Sequence, residues 1–166
     1  MAVPIFDGYR PGALAQLVGL HMAYYAPAWG FGCRFEAKVA AELAAFLDAF
    51  DPNLHLFRNA FDSNGVLLGS VSIDSSAETD DAAHLRWFIV SDAARGTGLG
   101  RRLLTDALSF ARATGYRGVY LTTFPGLEAA KRLYLAAGFR LTNTAEADPW
   151  SGAVGWHRYD LIFHPA

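Results

Sequence analysis

HLRWFIVSDAARGTGLGRRLL, residues 84–104, changes character halfway along. His84 to Val90 has the β-branched and aromatic content of a buried strand, and Ser91 and Asp92 close it with side chains suited to turns. Beyond Arg95-Gly96-Thr97-Gly98-Leu99-Gly100, residues Leu103, Leu104, Ala107, Leu108 and Ala111 recur at helical spacing. The stretch therefore predicts a strand that passes through a glycine-rich loop into a helix. The first amides of such a helix have no intrahelical acceptor, and the aligned peptide dipoles add partial positive charge there. An anion is the expected guest, most often a phosphate. Glycines let the backbone approach it, and Arg95, Arg101 and Arg102 add full charges. Three glycines making only a tight loop is the plainer reading, and the arginines argue against it.

Spacing narrows the ligand. A dinucleotide fingerprint needs G-x-G-x-x-G, but counted from Gly96 the last position is Arg101, and counted from Gly98 it is Leu103. A nucleotide P-loop needs Gly-Lys-Ser/Thr, and neither Lys38 nor Lys131 follows a glycine.

Arg95, Gly98 and Gly100 instead fit the pattern Gln/Arg-x-x-Gly-x-Gly/Ala, which resembles the acyl-CoA signature of the GNAT superfamily of N-acetyltransferases. Residues 130–139, AKRLYLAAGF, resemble that family's A-x-x-L-Y-x-x-x-G-F block, and the two blocks are separated as in the family. The wording LRWFIVSDAARGTGLG and RLYLAAGFRLT is most similar to the acetyltransferase half of proteins that join a MarR-type winged helix to a GNAT domain.

The resemblance implies acyl transfer from acetyl-CoA, usually to an amine. It places a pyrophosphate on Arg95 and on the amides of Gly96, Gly98, Gly100 and Arg101, with Thr97 and Leu99 completing the loop. The main chain of Phe88, Ile89 and Val90 is implied to pair with the pantetheine arm and to supply an oxyanion donor. Tyr134 matches the family tyrosine that protonates the leaving thiolate; a core tyrosine is the competing reading. His84 falls where many members place a base, and its ordinary pKa suits that work. A packed strand histidine fits the same sequence equally well, and Asp81 and Glu78 are alternatives acting through water. Arg86 shares the face of His84 unless a bulge intervenes, and an inward arginine needs a carboxylate, which suggests an amino-acid-like acceptor. One position departs from the family: Leu127 stands where many members have an asparagine. A non-catalytic acyl-CoA sensor is the alternative function.

Composition sets the limits. With 166 residues, 52% hydrophobic and 18% charged, the chain reads as one folded domain, residues 1–166. A net charge of −2 gives no basic excess to displace counterions from nucleic acid. Cys33 is the sole cysteine, so neither an intrachain disulfide nor a thiolate metal cluster can form, and no metal is expected. The longest uncharged run, Pro11 to Cys33, is broken by Pro27, several glycines and His21, so no membrane span is expected and a cytoplasmic location is. Aromatic loops and an apolar final hairpin make a homodimer the expected assembly, if any.

Around the central stretch, Val3 to Tyr9 reads as a strand, and Leu14, Leu17, Val18, Met22 and Tyr25 share one helical face. Residues 24–32, YYAPAWGFG, combine aromatics with breakers and predict a loop. The resemblance implies that Tyr25, Trp29 and Phe31 there face the acceptor, while the residues alone allow either a pocket wall or the core. Phe35 to Phe50 forms a second helical stripe, and Ser63-Asn64-Gly65 joins two strands as a hairpin. Residues 118–124 predict a strand, 127–137 a helix capped by Gly138, and 139–144 and 156–163 the last two strands, with Trp150 at the tip of the loop between. The order predicts an α/β (α+β) protein with a mixed, mostly antiparallel sheet of six to seven strands and helices on both faces. The resemblance names this the GNAT fold, with fourth and fifth strands parallel and splayed.

Overall fold

The computed structural model describes residues 3–75, 81–147 and 154–164. Seven strands, β1 (Ile5–Asp7), β2 (Leu56–Phe61), β3 (Leu67–Ser75), β4 (Ala82–Val90), β5 (Gly118–Thr123), β6 (Arg140–Ala145) and β7 (Trp156–Ile162), form one sheet in the order β1-β2-β3-β4-β5-β7-β6. Every neighbouring pair is antiparallel except β4 and β5. Those two run parallel, and their pairing stops after Ala82–His84 meets Gly118–Tyr120. Beyond that point they part, as the resemblance implied. Glu78 and Trp150 lie outside the described residues.

Among the described residues, four α-helices cover the sheet: α1 (Ala13–Trp29), α2 (Cys33–Asp48), α3 (Leu99–Thr114) and α4 (Glu128–Ala136). The stripe Leu99, Leu103, Leu104, Ala107 and Ala111 is buried, together with Tyr134 of α4, against Val71, Leu85 and Leu121 of the sheet. On the other face, Leu17 and Val18 of α1 and Val39, Leu43 and Phe46 of α2 pack on Phe57, Phe61, Trp87 and Ile89. Helices therefore lie on both faces, and each face has its own core.

β4 serves both cores because it carries a bulge. Ser70 pairs with Ile89 and Ser72 with Arg86, so Trp87 and Phe88 together oppose the single residue Val71. Trp87 takes φ 47°, a left-handed value that costs a non-glycine residue about 1–2 kcal/mol. Its surroundings hold it there: the indole is buried, 5.3 Å from the ring of Phe46, with the Arg86 guanidinium 4.1 Å above it. The extra residue reverses the strand's alternation. Ala83 and Leu85 point into the α3 core, whereas Trp87 and Ile89 point into the α1/α2 core and Phe88 and Val90 turn to α3.

Residues 24–32 correct one expectation. Only 30–32 form a connection: α1 runs through Pro27 to Trp29, and Gly30 ends it at φ 67° with its N–H on the Ala26 carbonyl at 2.8 Å. Pro27 cannot bond the Ala23 carbonyl, but one missing bond in the final turn is tolerated where aromatic packing compensates. Tyr25 provides it, with ring centres 5.4 Å from Phe35 and 5.6 Å from Phe124.

Candidate active site

The separation of β4 from β5 opens a cleft of about 1260 Å³, above the usual range for small-ligand sites. One end is the loop 95–101 at the start of α3. Gly98 sits at φ 86° and offers no side-chain cap, so the chain enters the helix without covering its end. The Leu99 amide has only a long 3.4 Å contact with the Thr97 hydroxyl, which itself donates to the Ala94 carbonyl at 2.7 Å. Among the described residues the amides of Gly100 and Arg101 find no protein acceptor. A Cβ on Gly100 would stand 3.2 Å from Leu133, 3.5 Å from Val90 and 3.6 Å from Phe88, which shows how closely the loop approaches the cleft wall. Arg95 is held by Asp92 at 2.7 Å and lies 4.8 Å over the Tyr24 ring. Both partners of that ion pair are exposed, so it is weak enough for an anion to displace.

The edge of β4 forms the middle of the cleft. The Ile89 carbonyl lies against Gly69, and the Ser91 N–H bonds the Leu68 carbonyl at 2.8 Å, so both groups face β3. Strand alternation then turns the main-chain groups of Phe88 and Val90 towards the gap. Ile89, expected to share that pairing, lines the cleft without pointing its peptide groups into it.

Tyr134 closes this segment. Its ring is buried, 5.9 Å from each of Phe88, Phe139 and Tyr159, and the residue borders the cleft. Burial, with smaller contributions from Tyr25 and Tyr159, pushes its phenol far above the ordinary range, so it stays a donor. No protein hydrogen bond occupies its hydroxyl among the described residues.

The far end is aromatic and charged. His21, Tyr25 and Phe35 line it, with Lys38, Glu42, His84 and Arg86. Arg86 bonds Glu42 at 2.5 Å and Asp74 at 3.1 Å, so the carboxylate that the sequence reading sought in an acceptor is supplied within the fold. His84 stacks on Tyr120 with ring centres 4.4 Å apart and planes 12° off parallel. Burial first, then the charges of Arg86 and Arg158, lower its pKa to about 3. Stacked in this way it is neutral at ordinary pH and packs as part of the cleft wall. Trp29 and Phe31 pack on the aromatic residues of this wall: Phe31 is buried 4.7 Å from Phe35 and 5.2 Å from Phe124, and Trp29 packs 5.4 Å from Tyr25. Sequence reading passed over His21, Phe35, Glu42 and Phe124. Only His21 gave a sign, as a lone polar residue on an apolar helical face.

The histidines set a pH dependence of stability. Burial lowers His21 to about 4 and is the first cause for His84 too, against an ordinary value of 6.5. Between pH 6.5 and 5 the unfolded chain therefore binds more protons than the folded one. The stabilisation is complete above the unfolded pKa and is lost as pH falls, by up to ~1.4 kcal/mol per pH unit for each histidine. Urea midpoints should drop from pH 6.5 to 5, with a shallower slope for His84→Gln; a flat profile would contradict these environments.

Comparison with known proteins fits this geometry. A model of the Acetyltransferase (GNAT) family matches residues 15–139. Human N-acetyltransferase 8B is 29% identical over 97 residues, 58% of this chain and 43% of that protein, so the match spans less than half of the relative. An acetyltransferase of the GNAT family from Staphylococcus aureus Mu50 superposes with TM-score 0.77 at 14% identity, covering 96% of this chain and 99% of that one. A GCN5-related N-acetyltransferase from Kribbella flavida gives 0.75 at 22% identity over 96% and 98%. yncA of Salmonella typhimurium, solved with its cofactor acetyl-CoA, gives 0.72 at 18% over 99% and 98%. With a family model spanning three quarters of its length and a sheet that splays where the fold requires, the chain belongs to the GNAT acetyltransferase family.

Proposed function

We propose that the chain transfers the acetyl group of acetyl-CoA to the amine of a small molecule. The observation that carries this reading is the continuity of the cleft, from uncapped α3 amides past the free edge of β4 to the phenol of Tyr134. An acyl-CoA asks for these features in that order: a seat for a diphosphate, main-chain partners for an amide-bearing arm, and a proton donor at the sulfur. The thioester supplies an activated acyl carbon.

The chain's residues have the following work. Amides of Gly100 and Arg101, with Arg95 and Arg101 side chains, hold the diphosphate; Gly96, Thr97, Gly98 and Leu99 shape the loop. Main-chain groups of Phe88 and Val90 orient the arm, and an N–H among them faces the oxygen that gains charge on attack. Tyr134 gives its proton to the departing sulfur. The matched relative's name, N-acetyltransferase 8B, supports nitrogen as the acceptor atom.

Titration calorimetry with acetyl-CoA, paired with release of free thiol over a panel of amines, tests the reading. Saturable binding and amine-dependent thiol release are expected. Binding without any transfer would favour a sensor, and absence of binding would remove the assignment of the loop.

A further inference from the structure

His21 has no part in the chemistry above, yet it borders the cleft. It lies in the third turn of α1, 6% exposed, and its Nδ1 is 2.9 Å from the Leu17 carbonyl oxygen. A carbonyl only accepts, so Nδ1 carries the proton and Nε2 presents a lone pair. Among the described residues no protein donor meets Nε2.

Its neighbours define what would lie beside it. The Tyr25 ring stacks at 6.0 Å and 20° from the imidazole. His21, Tyr25 and Tyr134 all line the same cleft. Phe35 and Phe124 pack on Tyr25 and complete an apolar wall. The charged side chains on this wall pair with each other: Lys38 and Arg86 both bond Glu42, and Arg86 also bonds Asp74.

Resting on the transferase reading, we propose that Nε2 of His21 receives an N–H of the acceptor, and that the acceptor is an amine on a flat apolar body lying against Tyr25 and Phe35. The hydrogen bond points the nitrogen lone pair at the thioester carbon. As the N–C bond forms, nitrogen becomes far more acidic and passes one proton to Nε2. The C–S bond breaks, sulfur takes the Tyr134 proton, and the imidazolium returns its proton to the phenolate through water. Both residues end as they began.

The decisive pair of variants separates Nε2 from the rest of the ring. In His21→Asn the side-chain amide N–H replaces Nδ1–H on the Leu17 carbonyl and nothing replaces Nε2. In His21→Gln the carbonyl oxygen reaches the Nε2 position as an acceptor that does not take up a proton. Benzylamine and aniline are the apolar probes, with alanine and lysine as the charged ones. Wild type is expected to use an apolar probe at least ~10-fold better than alanine or lysine. His21→Asn should lose ~100-fold or more in kcat/KM with acetyl-CoA affinity unchanged, whereas His21→Gln should recover the acceptor KM but not kcat. Preference for alanine or lysine, or a His21→Asn enzyme within threefold of wild type, overturns the inference and leaves the transferase reading standing. Acetyl-CoA binding with no transfer to any amine overturns both. A His21→Asn protein that has lost acetyl-CoA binding as well shows a structural role and also counts against the inference.

Discussion

Tyr134→Phe is expected to slow acetyl transfer by ~100-fold to 10,000-fold, the range lost with a positioned proton donor. The substitution keeps the ring, which is the part that packs against Phe88, Phe139 and Tyr159. It removes a hydroxyl with no protein partner among the described residues, so stability should stay within about 0.5 kcal/mol of wild type. Acetyl-CoA affinity should also hold, because the proposed diphosphate seat lies at the start of α3, away from this hydroxyl. The effect belongs in kcat, read as free-thiol release under saturating acetyl-CoA. A variant that keeps wild-type kcat would return Tyr134 to the role of a core tyrosine.

The largest effect on stability is expected at Leu103→Ala. Leu103 is fully buried on α3, and one of its methyl groups stands 3.1 Å from where a Cβ on Gly69 would lie. β3 thus presses directly on the helix, and backbone on that side has little room to close a void. Truncation in such a setting costs about 2–5 kcal/mol, a large share of the ~5–15 kcal/mol that a domain possesses. Urea denaturation followed by far-ultraviolet circular dichroism should show the midpoint falling with the slope unchanged. A loss below 1 kcal/mol would mean that α3 is less firmly seated than its packing shows.

Much of the architecture was legible because local signals agreed. Residues 84–111 show strand content, then glycines, then helical spacing, and the structure follows with β4, the loop and α3. Ser63-Asn64-Gly65 marked the turn between β2 and β3, and Gly138 ends α4 at φ 95°. The α1 boundary was missed because breakers were weighed without the aromatic packing on Tyr25 that tolerates Pro27. Arg86 was legible as a residue needing a carboxylate, but Glu42 lies 44 positions away and nothing local announces it. Trp29 and Phe31 were placed by family resemblance, and their contacts with Tyr25, Phe35 and Phe124 could not be read from the local pattern. The bulge left no trace, since exposure along β4 alternates without a break while the direction of its side chains switches at Trp87.

That switch ties the two halves of the molecule together. Ala83 and Leu85 are seated in one layer and Trp87 and Ile89 in the other, so a single strand is stitched through both like a shared thread. Neither layer can melt alone without stripping its neighbour of part of that thread. The mechanical outcome is cooperativity: heat or denaturant meets one unit, and the walls on either side of the cleft keep their mutual alignment until the whole gives way.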